Sequence, residues 1–376
     1  MNLIQKKYDY YFKDSNYVYQ FHDTNWIMVL DKYTDTITDE TEEDINIHKT
    51  YNANKLHILF SFNKFNPELK MKYENMSDSI KKHYNGNGNN TLCVEYYKSP
   101  EVPFYMNLIN NDLYSGMYMD WYINGELSST GNLLAGKQNG LWQKYHKNGK
   151  TMEKGQYILG KKQLVWKTFY ENGNVISQGE YMNDLKTGLW TFFHENGTVN
   201  VESLYKSNLL HGNYVQYNDK HVKIIENNYV NNKKDGLYTE YYDSGNEKVI
   251  CTYKSNNLQG IYTEYYDDPS KIIKYQTEYN NNIKSGKETT YYDNKQKRLE
   301  CIVKNNKKNG LCIEWWLNGM CKSQGNYVDD SKNGLWSAWD EFGNKIFDEH
   351  HMGDQIIQSI EQDTEREIDN GFILIE

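Results

Sequence analysis

The chain has 376 residues, 38% of them hydrophobic and 25% charged, with a formal net charge of -9. A mean hydropathy of -0.91 and the lack of any run of about 18 apolar residues exclude a helical integral membrane protein. Tyr is the outlying residue at 35, beside 9 Trp, 12 Phe, 26 Gly and only 4 Pro. That balance excludes extensive disorder and favours pleated, half-buried surfaces broken by tight turns.

Residues 1–90 read as a β-rich or α+β segment. Strand-like runs fall at Tyr8–Phe12, Tyr17–Phe21 and Lys55–Phe62, a short helix near Ser77–Tyr84, and an acidic loop at Asp35–Asp44. Gly86–Asn90 has linker composition. The first residues, Met1–Tyr8, hold no apolar core of signal-peptide kind, and position 2 is Asn2 rather than the glycine of a myristoylation site. The expectation is an intracellular, cytoplasmic chain.

From residue 91 to 343 the sequence repeats itself every 24 residues. Glycines mark the period at Gly116, Gly140, Gly188, Gly212, Gly236 and Gly260, with Leu164 in the missing place. A two-residue insertion then leads to Gly286, Gly310 and Gly334. Counting each of these as offset 0, offset 2 is aromatic at Tyr118, Trp142, Trp166, Trp190, Tyr238 and Trp336, and offset 5 is aromatic throughout, as at Tyr145. Offsets 8 and 9 read Asn-Gly in five copies, as at Asn148-Gly149. Offset 15 is glycine in four copies, such as Gly155, and offset 17 is commonly Tyr, as at Tyr157. Asn-Gly between β-prone runs is a strong hairpin signal, so each copy is expected to be one hairpin closed by a type I′ turn. Offset 2 would then lie opposite offset 15, with its ring over the bare glycine backbone. Ten stacked hairpins predict an elongated, twisted, single-sheet ribbon of about 95 Å at about 4.8 Å per strand. Leu92–Tyr97 reads as a degraded first copy. Residues 344–376 read as an acidic tail, helical or disordered.

Charge follows the repeat. Residues 116–339 carry a net of +4, residues 340–376 a net of -9. So balanced a body argues against general nucleic-acid binding, which needs a clear basic excess. Offset 7 is mostly acidic, while offsets 21 and 22 are rich in lysine: Lys161, Lys162, Lys186, Lys233, Lys234, Lys307, Lys308 and Lys332. The ribbon is expected to have one acidic and one basic edge. The basic edge reads as solubilising charge at loop tips, as a rail for an acidic protein or lipid headgroups, or as a surface onto which the acidic tail folds back.

No phosphate loop, dinucleotide fingerprint, zinc-protease motif or nucleophile elbow occurs, so no catalytic, cofactor or metal residue is assigned. His350-His351 reads as a surface pair. Five Cys without a Cys-x-x-Cys pair argue against a disulfide framework or zinc site. Cys301 and Cys312 fall on neighbouring strands of one face, where a disulfide would fit, although two buried thiols is the reading preferred.

The unit G-x-[WY]-x-x-[YFW]-x-x-N-G-x5-G-x-Y-x-x-G-K resembles the MORN repeat in its variant form, most closely from Gly140 to Lys161. That resemblance covers about residues 116–343. It implies a non-enzymatic scaffold that binds a protein partner. Alternatives are a peripheral module on an anionic or phosphoinositide membrane, and an antitoxin or immunity-like neutraliser, as some bacterial members of this family are labelled; the variant form also occurs in large DNA viruses and protists. An enzyme within residues 1–90 is a further, weaker option, and open strand edges would allow an edge-to-edge homodimer.

Overall fold

The computed structural model describes residues 17–23, 26–32, 38, 50–53, 56–64, 70–72, 94–97, 101–106, 108–112 and 114–361. The expected strand at Tyr8–Phe12 and helix near Ser77–Tyr84 lie outside them. The chain divides into two compact units, Met1–Thr198 and Val199–Glu376.

The first unit opens with a six-stranded sheet in the order β3-β6-β1-β2-β4-β5. Its strands are β1 (Tyr17–Asp23), β2 (Trp26–Asp31), β3 (Thr50–Ala53), β4 (His57–Asn63), β5 (Lys70–Lys72) and β6 (Val94–Tyr97). The expected strands at Tyr17–Phe21 and Lys55–Phe62 are β1 and β4. Val94–Tyr97 is a correction: it pairs with β3 and β1 of this sheet rather than serving as a first repeat.

A single turn of helix, α1 (Glu101–Tyr105), joins the sheet to the repeats. Phe104, Tyr105 and Leu108 belong to one buried apolar cluster with Tyr19, Ile27 and Val29 of this sheet and Tyr118, Leu133 and Trp142 of the repeats. The six-stranded sheet therefore supplies the apolar cover that the outermost repeat would otherwise lack. Lys64, buried here, donates to the Met106 carbonyl at 2.5 Å, and burial lowers its ammonium to about 8.

The remaining strands of the first unit are β7 (Gly116–Trp121), β8 (Leu127–Leu134), β9 (Lys137–Tyr145), β10 (Thr151–Ile158), β11 (Lys161–Phe169), β12 (Val175–Met182) and β13 (Leu185–Phe193). They form an antiparallel meander in which chain neighbours are sheet neighbours. The second unit repeats this plan from Val199–Lys206 to Gln355–Glu361. The chain is thus all-β, built of hairpins at the 24-residue period.

The register is as expected, but the turn is not. Trp142 pairs with Gly155 and Gly140 with Tyr157. Yet the His146 N–H donates to the Lys150 carbonyl and the Gly149 N–H to the His146 carbonyl. Gly149 alone of the Asn148-Gly149 pair has a positive φ, of 78°. This is a three-residue loop, a type I turn ending in a left-handed glycine, rather than a type I′ turn. A register shift between Thr151 and Glu153 then restores the expected pairing. The type I′ geometry sits instead at the connections between copies: Asn183 and Asp184 have φ of 52° and 68°, and Asn231 and Asn232 have 49° and 65°. Lys295 holds the left-handed loop position at φ 72° in place of the usual glycine.

The array also runs further than expected. Lys345–Met352 and Gln355–Glu361 are strands, paired with each other and, for the former, with Ser331–Trp339. Residues 345–361 thus belong to the sheet and are not a helix. His351 is buried there, its ring 6.4 Å edge-on from Trp336, in the ladder place that Tyr holds in other copies. It is not the surface residue expected, although its neighbour His350 is exposed.

Candidate functional site: the two faces of the repeat array

Offsets 2, 15 and 17 share one face and build an aromatic ladder. In the first unit it runs through Tyr105, Tyr118, Trp142, Tyr157, Trp166, Tyr181 and Trp190, with centroid steps from 4.9 to 6.3 Å. Most contacts are edge-to-face, the arrangement ring quadrupoles prefer. Each Trp lies over the offset-15 glycine of the preceding copy. A Cβ on Gly131, Gly155, Gly179 or Gly325 would fall within 2.4 Å of the ring of Trp142, Trp166, Trp190 or Trp336, respectively. The indole N–H then donates to the next carbonyl of that strand, as from Trp142 to Asn132 at 2.9 Å and from Trp336 to Asn326 at 3.1 Å.

Where offset 15 carries a side chain, the covering residue shrinks. Ser203 pairs with Tyr214, Asn227 with Tyr238, and Cys301 with Cys312. The last two cysteines are joined by a disulfide, with Cα atoms 4.0 Å apart, rather than being the two thiols expected. Direct opposition of these two positions is what brings the sulfurs together. Burial pushes the ladder phenols upward: Tyr157 and Tyr238 reach about 12, with smaller contributions from Glu153 and Glu240, respectively. Burial likewise takes the Cys251 thiol to about 11, which makes it a poor nucleophile.

The lysines expected to form one basic edge divide into two sets. Lys161, Lys233 and Lys307, at offset 21, are exposed. Those at offset 22 fold back over the ladder. Lys162 sits 4.0 Å from the Trp166 centroid, Lys186 4.3 Å from Trp190, Lys234 4.6 Å from Tyr238, Lys308 5.0 Å from Tyr327 and Lys332 4.6 Å from Trp336. Burial first, and then Lys162, lowers the Lys186 ammonium. Lys162 also forms an ion pair with Glu153. Five of the eight candidate rail lysines are thus part of the fold. The two sets are adjacent residues on a strand, and side chains there point to opposite faces.

Two further ladders were not foreseen. Offset 6 reaches from each copy to the next: Tyr122 donates to the Tyr145 carbonyl at 2.6 Å, Tyr242 to Tyr265 at 2.8 Å and the Trp316 indole to Trp339 at 3.0 Å. At the loops, Asn148 accepts the Lys150 N–H at 3.0 Å and donates to the Glu171 carbonyl at 3.2 Å. At the opposite turns, Asp184 accepts the Lys162 N–H and Asn256 the Lys234 N–H, both at 2.7 Å. Asn and Asp are chosen here because a short polar side chain can substitute for backbone. The mixed identity of offset 6 (Tyr, His, Trp) hid a shared donor role.

The face opposite the ladder presents a row of exposed aliphatic residues at offset 1. Leu141 is 69% exposed, Val165 51% and Leu189 54%. In the second unit Leu237 and Ile261 are 57% and 62% exposed. Offset 18 adds Ile158 and Met182 beside the first row. Among the described residues no cluster of His, Cys, Asp or Glu could hold a metal ion, and no helix is long and apolar enough to cross a membrane.

A protein-family comparison matches the MORN repeat variant at residues 138–158, 162–183, 186–207 and 234–255. No curated protein sequence matches the chain. Solved structures similar to it include a TcdB2–TccC3 crystal structure, at 8% identity and a TM-score of 0.15 over 88% of this chain and 20% of that one. Another is a Photorhabdus luminescens Tc holotoxin pore with a TccC3 mutation, at 10% identity and a TM-score of 0.15 over 88% of this chain and 16% of that one. This chain therefore spans about a fifth or less of the chains it matches. The 24-residue hairpins, their glycine-seated rings and the four family matches together identify repeats of the MORN variant within residues 138–255 of this chain.

Proposed function

We propose that the array is a non-enzymatic scaffold whose docking face is the aliphatic row at offset 1, and that its partner is a protein. Repeats of this family are interaction modules for proteins and membranes. The observation that carries the reading is the row itself: Leu141, Val165 and Leu189 are more than half exposed at one repeat spacing from each other. Solvent-exposed aliphatics in register, rimmed by polar residues, mark contact surfaces more often than isolated ones do. The ladder face is less suited, because its rings are capped by lysines and turned on each other. The test is affinity capture from source cells with the full chain. Loss of one stoichiometric partner in Leu141→Ser/Val165→Ser/Leu189→Ser, with retention in Lys161→Ser/Lys233→Ser/Lys307→Ser, is the expected result. The opposite pattern would move docking to the turn lysines.

A second reading, attachment to an anionic membrane, is favoured by the exposed Lys161, Lys233 and Lys307. It predicts flotation with phosphatidylserine vesicles that fails with neutral ones and falls in the lysine variant.

A further inference from the structure

The ladder has a gap in the second unit, and the gap is a cavity. At Cys312 the ring expected at offset 2 is replaced by a small sulfur side chain. The space left beside it measures about 500 Å³ and is walled by Leu299, Tyr327 and Trp336 as well as Cys312. That volume lies within the range of small-molecule sites.

Its charge is one-sided. Arg298, Lys308 and Lys332 line it, against one carboxylate, Glu314, which is already held by Lys322 at 2.9 Å. Lys308 and Lys332 are offset-22 lysines. In the copy of Lys162, offset 13 is Glu153, which forms the ion pair already described. In the copies of Lys308 and Lys332 that offset is Leu299 and Ser323, so neither lysine meets a carboxylate there. The two ammonium groups lie over rings, at 5.0 Å from Tyr327 and 4.6 Å from Trp336, and the carboxylate whose charge Lys308 also feels, Glu288, is already paired with Lys284 at 2.6 Å. Lys234 equally lacks such a carboxylate, with Ile225 at offset 13, but there Tyr238 holds the ladder place that Cys312 leaves without a ring.

We propose that this cavity binds a small organic anion, a planar body against Trp336 and Leu299 with its anionic group held by Lys308, Lys332 and Arg298. The ring wall and the fixed cations favour a flat aromatic carboxylate or phosphate monoester over a bare inorganic ion. The recognition is non-covalent and goes beyond the scaffold role, since it uses the ladder face and not the aliphatic row.

The experiment is calorimetric titration of the full chain with phenyl phosphate, with inorganic phosphate and benzyl alcohol as the charge-only and ring-only controls. Saturable one-to-one binding of phenyl phosphate, at least tenfold tighter than either control, is expected. Lys308→Ser/Lys332→Ser should weaken it at least tenfold, while Lys234→Ser leaves it unchanged. Cys301→Gly/Cys312→Trp restores the glycine-and-indole pair found at four other slots, fills the cavity, and should abolish binding without lowering the melting temperature. If that variant fails to fold, the half-buried lysine pair still decides the matter. No saturable binding, equal binding of phenyl phosphate and inorganic phosphate, or undiminished binding in the lysine or the filled variant would each overturn the proposal.

Discussion

The copies of the first unit and those of Ser203, Asn227 and Cys251 solve one packing problem in two ways. In the first unit, glycine at offset 15 leaves bare backbone, and an indole that is 2–3% exposed lies on it. In the second unit, Ser203, Asn227 and Cys251 put a side chain into the slot, 1–2% exposed, and the cover becomes Tyr214, Tyr238 and Tyr262. The summed volume is kept while its division between the strands changes, as close-packed interiors demand. The second solution has a cost. The Ser203 hydroxyl and both polar atoms of the Asn227 amide are buried and make no hydrogen bond within the protein, where a buried unsatisfied polar group costs about 1–3 kcal/mol. The indole solution instead satisfies its own donor through the neighbouring strand's carbonyl.

The sharpest way to separate the two is to remove the covers. Trp166→Ala should cost about 3–5 kcal/mol of unfolding free energy. Tyr238→Ala should cost at least about 1 kcal/mol less, because the smaller, half-buried ring removes less apolar area from water. Urea denaturation checks this, and equal losses would break the comparison. Next comes the glycine. Gly155→Ala places a Cβ 2.2 Å from the Trp166 ring and should cost about 1–3 kcal/mol by overpacking. Gly140 meets nothing within 4 Å, but its φ is +82°, so Gly140→Ala should lose about 1–2 kcal/mol from backbone conformation alone. The two losses respond differently to a smaller neighbour: only the first should shrink in a Trp166→Tyr background.

Leu164 offers the reverse test. It holds the offset-0 place at φ 59°, a conformation that glycine adopts without strain. Leu164→Gly should raise stability by about 1 kcal/mol, read as a higher urea midpoint. No gain would mean that its side chain contributes contacts that balance the strain.

The smallest effect is on pH. Burial raises the phenols of Tyr157, Tyr238, Tyr262 and Tyr275 to about 12 from an ordinary 10.0. A group whose folded pKa is raised contributes stability that is fully present below its unfolded value. That contribution is lost as pH rises from about 10 through about 12. The tyrosinate absorbance of the folded chain should rise in two stages, exposed phenols first, with the melting temperature falling in the second. One common step near pH 10 in a still-folded chain would contradict it.

Much of this was legible in the chain. Period, hairpins, register and the offset-2 and offset-17 ladder follow from glycine and aromatic spacing. The turn type was not, because Asn-Gly satisfies both a type I′ turn and a type I turn ending in left-handed glycine. The deciding Asn148 side-chain bonds depend on the neighbouring copy. The last repeat strands were hidden because Glu349 and His351 stand where the pattern has glycine and Tyr. The lysine division needed strand parity: Lys161 and Lys162 look alike in sequence and face opposite sides. The aliphatic row was not legible because Leu141, Val165 and Leu189 read as ordinary strand residues, and only the structure shows their exposure.

The most direct test of the shared-slot account is a double-mutant cycle at Gly155 and Trp166, using Gly155→Ser and Trp166→Tyr, which recreates the Ser203–Tyr214 pair. The account predicts that the double variant is more stable than the sum of the single losses by at least about 1 kcal/mol. Losses that simply add, within about 0.3 kcal/mol, would show that the two positions do not share one volume.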